Sequence, residues 1–196
     1  MKALIIVDVQ VDFLPEGALA VPAGDTIIPA INVLQKDYDL VVATQDWHPA
    51  DHGSFASQYP GAQVYDKIEL HGLEQTLWPD HCIQGTAGAE LAPALDTNAI
   101  EAIFRKGTDK QIDSYSGFSD NGKRKTTGLQ GYLEAKAVTE VHVCGLAADY
   151  CVYFTAMDSL EAGFKTAIIS RATKPIDKTT FMDKKESFLQ KGGRIL

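Results

Sequence analysis

The chemistry of this sequence gathers first at one cysteine. Val141-His142-Val143-Cys144 is a short apolar, β-branched run that stops at Gly145, and small residues follow it. Cys151, Phe154, Thr155 and Asp158 then recur at helical spacing. The pattern reads as strand, tight turn, helix, with Cys151 in the first helical turn. Free backbone N–H groups and the positive end of the helix dipole favour a thiolate there. Such a thiolate is an activated nucleophile with oxyanion-binding amides beside it. Taken alone, a cysteine is more often a small buried hydrophobe, the reading that Cys144 keeps.

Two further groups of residues change that balance. Asp46 and His48 are spaced i, i+2 after the apolar run Leu40-Val41-Val42-Ala43-Thr44. On extended chain their side chains point the same way, so with a third ligand they could hold a divalent metal. His81 is the third ligand expected, His52 a fourth candidate and His71 a weaker one. An isolated Asp-x-His is more often a turn cap beside surface histidines. Asp8 and Lys106 supply what a cysteine nucleophile needs. A carboxylate takes the thiol proton and returns it to the leaving group, and a nearby ammonium favours the ionised forms. Singly, each has a bland alternative as a loop carboxylate or a salt-bridged lysine.

The elements that must position these residues follow from the hydrophobic pattern. The apolar runs at 3–7 and 40–44 read as buried strands, 99–104, 141–144 and 166–170 as three further strands, and 194–196 as a candidate short final strand. Helical patterns span about 25–36, 128–137, 149–162 and 178–191, the third ending at Gly163. The stretch 49–97 has no strong periodicity, and a segment that long is often functional. Alternating strands and helices predict an α/β, Rossmann-like three-layer fold. Its sheet is mostly parallel and about six-stranded, with helices on both faces and a single domain over 1–196. Ligands bind such sheets beyond the C-terminal strand ends. Asp8, Asp46, His48, Lys106 and the 145–151 turn all fall at that rim, which turns the odds toward a functional Cys151.

Composition narrows the partners. The net charge of −8 and the scattered arginines at 105, 124, 171 and 194 argue against nucleic acid and anionic membranes. No window approaches a membrane span, and the N-terminus reads as the first strand. Three irregularly spaced cysteines point to a reducing cytoplasm rather than a disulfide framework.

Six blocks, in order, carry a resemblance. They are Asp8-Val9-Gln10-x-Asp12-Phe13, Asp46-Trp47-His48-Pro49, Trp78-Pro79-x-His81-Cys82-x-x-Gly85-Thr86, Lys106-Gly107, Tyr115-Ser116-Gly117-Phe118 and Gly145-Leu146-Ala147-x-Asp149-Tyr150-Cys151-Val152. Together they resemble the nicotinamidase (pyrazinamidase) branch of the isochorismatase-like hydrolases, from about residue 1 to 171. The resemblance implies a catalytic triad of Asp8, Lys106 and Cys151, and a metal held by Asp46, His48 and His81, with His52 the further ligand to test. It implies a cis peptide at Leu146-Ala147, an oxyanion hole from the N–H groups of Ala147 and Cys151, and ring-binding walls at Phe13, Leu19, Trp78 and Tyr115. One divalent ion is expected, zinc ahead of iron or manganese, with nicotinamide as the small-molecule partner and a homo-oligomer compatible with it. Ala148 departs from the family, which often has threonine there. Two rivals stand beside this reading. One is a superfamily amidase acting on a carbamoyl or ureido group; the other is a non-catalytic nicotinamide- or metal-binding protein.

Overall fold

Every residue of the first strand after Lys2 is buried, and its alternation feeds two cores. In this computed structural model, which describes residues 1–196, Leu4 and Ile6 of β1 (Lys2–Val7) face one apolar cluster. Ala3, Ile5 and Val7 face the other, as the two-residue period of a strand requires. β1 is paired on both sides, by β2 (Leu40–Asp46) and β6 (Glu140–Leu146). β5 (Ile100–Lys106), β7 (Lys165–Lys174) and β8 (Arg194–Ile195) complete a parallel six-stranded sheet in the order β5-β2-β1-β6-β7-β8.

One face is covered by α1 (Ile28–Leu34) through Ile28, Ile31 and Leu34, together with Trp78, Cys82, Ala89, Ala92 and Leu95 of the long aperiodic stretch. The other is covered by α2 (Leu129–Ala135), α3 (Tyr153–Glu161) and α4 (Lys178–Gln190), through Leu129, Leu133, Ala156 and Phe188. No helix is long and apolar enough to cross a membrane.

The structure corrects several sequence boundaries. The helix expected over 25–36 is α1 flanked by 3-10 turns at Gly24–Ile27 and Gln35–Asp37. Pro29 fits only the first turn of the α segment, where no intrahelical N–H is required. β2 and β5 each run two residues beyond their apolar runs, because the ladder continues through Asp46 opposite Lys106. β7 likewise extends to Lys174, past an irregularity in its pairing with β6. The aperiodic stretch holds an antiparallel hairpin, β3 (Lys67–Leu70) and β4 (Leu73–Thr76). Its mostly polar surface gave no strand signal. His71, the weakest metal candidate, is exposed in that hairpin's turn.

Candidate active site

The strand ends bring the chemistry together. Asp8 follows β1, Asp46 ends β2, Lys106 ends β5, and Cys151 follows β6. These four strands are neighbours in the sheet, so residues far apart in sequence meet at one rim. Lys106 is the hub. Its Nζ donates to Asp46 Oδ1 at 2.5 Å, to the Ser114 carbonyl at 2.9 Å and to Cys151 Sγ at 3.3 Å. Asp8 Oδ2 lies 2.8 Å from the same ammonium, yet no donor is aligned on it. The other Asp8 oxygen accepts the Thr44 hydroxyl at 2.6 Å. Asp8 thus sets its second oxygen, buried, in an ion pair with the ammonium and near the thiol.

Burial sets the protonation of this group. It raises the Asp8 carboxyl above the usual range, against the pull of Lys106. Burial also works against a charged Lys106, but Asp46 and Asp8 hold its ammonium well above its usual range. Burial pushes the Cys151 thiol well above its ordinary value, and Lys106 offsets only part of that. Burial thus works against the expected thiolate. Cys151 falls in a π-type turn, Ala148–Val152, ahead of α3, rather than in the first turn of the α-helix. The resting state is a thiol beside an Asp8 made more basic than a free aspartate.

The nucleophile's turn has defined geometry. The Leu146–Ala147 peptide is cis. The N–H groups of Tyr150 and Val152 both close onto the Ala147 carbonyl at 3.1 Å, while the Ala147 N–H takes no part in the backbone ladder. Gly145 has φ 110°, and a Cβ there would lie 2.1 Å from the Val7 carbonyl oxygen. Only glycine allows β6 to run this close to β1 before the turn. The Asp149 carboxylate accepts the N–H groups of Ile176 at 2.9 Å and Asp177 at 2.8 Å, tying the turn to the loop before α4.

Asp46, His48 and His81 place one ligand atom each within 4.8 Å of one another, all buried. Asp46 Oδ2 lies 3.6 Å from His48 Nε2 and 3.9 Å from His81 Nε2. The Nδ1 atoms of the two histidines face carbonyls, Gly107 at 2.9 Å and Pro79 at 2.7 Å. A carbonyl only accepts, so each Nδ1 carries a hydrogen and each Nε2 turns toward Asp46, whose charge raises the His48 pKa against the effect of burial. Burial works against a charged Asp46, but the Lys106 ammonium, the largest opposing influence, holds its carboxyl well below the usual range. Burial and the neighbouring His48 take His81 down to about 4, which leaves it neutral as a ligand must be. Two imidazoles and a carboxylate suit zinc, iron or manganese.

His52 does not join this group. Its Nδ1 accepts the Ser54 N–H at 3.2 Å and lies 2.7 Å from the Ser54 hydroxyl. A neutral imidazole has one lone pair, so the unpartnered Nε2 carries the hydrogen. His52 groups instead with His48 and Asp113.

Phe13, Leu19, Trp78 and Tyr115 line one narrow cleft with Ala147, Cys151 and the three ligand candidates. Tyr150, Ile176 and Asp113, which the sequence did not single out, complete its walls. A wider groove lies on the other side of Tyr115, but it has neither cysteine nor histidine. Sequence reasoning also missed Gln10, whose side chain brackets the Asp46 backbone with two 2.8 Å hydrogen bonds. It missed Thr44 as well. The available signal was Thr44, Asp46 and His48 at i, i+2, i+4 on extended chain.

Comparison with known proteins gives the family. The isochorismatase domain family matches residues 2–195. The nicotinamidase of Escherichia coli (strain K12) is 47% identical over 180 residues, covering 90% of this chain and 84% of that protein. Among solved structures, the Acinetobacter baumanii nicotinamidase/pyrazinamidase superposes with a TM-score of 0.97 at 45% identity, covering 100% of this chain and 95% of the other. The Pyrococcus horikoshii pyrazinamidase, solved in complex with zinc, superposes with a TM-score of 0.82 at 37% identity, covering 100% and 98%.

Proposed function

Because the chain belongs to the isochorismatase domain family, as one of its nicotinamidase-like amidohydrolases, we propose that it converts nicotinamide to nicotinate and ammonia, and accepts pyrazinamide. The observation that carries this reading is Cys151 Sγ 3.3 Å from Lys106 Nζ, with Asp8 at 2.8 Å from the same atom, in a cleft that also holds the Asp46-His48-His81 donor set.

The residues fit a covalent route. The ring enters between Phe13, Leu19, Trp78 and Tyr115. Asp8 takes the Cys151 proton, and the sulfur attacks the amide carbon. The N–H groups of Ala147 and Cys151 stabilise the oxyanion; removing one such donor costs about 3 kcal/mol of barrier. Asp8 protonates the departing nitrogen, the C–N bond breaks and ammonia leaves a thioester. Asp8 then activates a water, which adds to the thioester carbonyl, releases nicotinate and restores the thiol. Lys106 supports each charged state. Asp46, His48 and His81 would hold a divalent ion, zinc ahead of iron or manganese, which when bound would supply Lewis-acid chemistry at the ring end of the cleft. Nicotinate returns the ring to NAD salvage. The three free cysteines are in keeping with a cytoplasmic setting.

Ammonia release from nicotinamide, measured beside metal content for wild type and Cys151→Ala, tests the proposal. The expected result is turnover by wild type and a loss of about 10⁴-fold or more in the variant. Undiminished turnover by Cys151→Ala would end the covalent route.

A further inference from the structure

The β3–β4 hairpin exposes most of its surface, and its buried strand residues are Leu70 and Gln75. The Gln75 amide is turned toward the cleft wall. Its Nε2 gives one hydrogen to the Thr76 carbonyl at 2.7 Å and shares the other between Asp113 Oδ2 at 3.0 Å and the Tyr115 hydroxyl at 3.2 Å. The first two partners only accept, so the amide has one workable orientation; reversed, its oxygen would face a carbonyl and a carboxylate. The Tyr115 hydroxyl also accepts the Trp78 indole N–H at 3.2 Å. Two N–H groups on one phenol oxygen fix the planes of both rings, whose centroids lie 6.2 Å apart at 88°. Trp78, Tyr115 and Asp113 all line the cleft, while Gln75 lies behind them.

We propose that Gln75 is a positioning residue for the substrate ring. Without touching a reacting atom, it locks the Tyr115–Trp78 corner and occupies one oxygen of the buried Asp113. The corner then accepts a flat, uncharged aromatic ring. This rests on the amidohydrolase reading above and adds a residue that determines how the substrate is seated.

The test uses the full-length protein with its metal and a double-mutant cycle of Gln75→Met and Tyr115→Phe, with Gln75→Glu as a third single variant. Gln75→Met keeps the volume and removes the donors. It is expected to raise KM for nicotinamide about tenfold, with kcat within about twofold, the size of one lost hydrogen bond acting on binding. Gln75→Glu sets an acid against Asp113 and raises KM further. The double variant is expected to be no worse than the poorer single one, because both changes break the same link. The near-UV circular dichroism of the tryptophan region changes in Gln75→Met. Additive KM effects, or an unchanged KM in Gln75→Met, would overturn the proposal. Should Gln75→Met fail to fold, Tyr115→Phe breaks the same contacts from the other side, and an unchanged KM there overturns it equally. Wild type without nicotinamide turnover sinks the functional reading instead. In that case the dichroism of Gln75→Met still decides, and an unaltered spectrum counts against the positioning role.

Discussion

Lys106 and Asp46 meet at 2.5 Å where β5 and β2 end in register, and Asp46 turns its other oxygen toward His48 and His81. One carboxylate therefore borders both the ammonium that contacts the thiol and the donor set that suits a metal. Its charge is shared between the two halves of the site.

Replacing Lys106 by methionine keeps the volume and leaves Asp8 and Asp46 as buried carboxylates without their cation. Breaking a buried pair from one side costs about 3–5 kcal/mol. Urea unfolding of Lys106→Met is expected to show a loss of that order, together with loss of activity. A stability within 1 kcal/mol of wild type, on the order of a surface substitution, would contradict the central place given to this ammonium.

Metal content should separate the histidines. His81→Ala removes an Nε2 lone pair presented to the site, whereas His52→Ala removes an imidazole whose lone pair is engaged by Ser54. Dialysed His81→Ala is expected to hold well under one equivalent of metal, and His52→Ala to match wild type. Metal loss in His52→Ala, measured by elemental analysis, would put His52 among the ligands.

Gly107 has φ 63°, and a Cβ there would lie 2.3 Å from His48 Cε1. Gly107→Ala therefore strains the backbone and displaces an imidazole held by the Gly107 carbonyl. The expected cost is about 1–3 kcal/mol of stability, with weaker metal retention. A variant with wild-type melting temperature and metal content would refute the fit.

A pH effect is expected away from the cleft. His142 bonds to the Tyr38 hydroxyl at 2.7 Å and to Glu140 at 2.9 Å. Burial lowers its pKa from the ordinary 6.5, outweighing the pull of Glu140. Between those values the unfolded chain binds the proton more readily than the native one, so stability rises with pH through that window. The contribution is fully present above the unfolded value and is lost as pH falls below it. Thermal unfolding followed downward from about pH 7.5 should show a steeper loss in wild type than in His142→Gln. Parallel curves would remove His142 as the cause.

What could be read from the sequence depended on how local the cause was. β1 and β2 were legible because strands buried on both faces are continuous apolar runs. Asp8, Asp46, Lys106 and Cys151 were legible as a rim because strand ends in a parallel sheet share an edge. Gln10, Gln75 and Asp113 were not, since their partners lie 36 to 79 residues away and polarity alone does not reveal them. The π-type turn at 148–152 was read as α-helix because the two differ by one residue per turn, which spacing over a few residues cannot resolve.

The register of the sheet also bears on how the molecule comes into being. The thiol, the ammonium and the carboxylates come from strand ends joined across 60 residues between Asp46 and Lys106 and 45 between Lys106 and Cys151. No hairpin or single βαβ fragment contains the set. Parallel pairings of this span form slowly, because chain entropy is lost before the contacts reward it. Until the four strands are docked, each ionisable group stays hydrated. The reactive centre is therefore a property of the assembled sheet, complete only when the strand carrying Leu146 is paired beside β1.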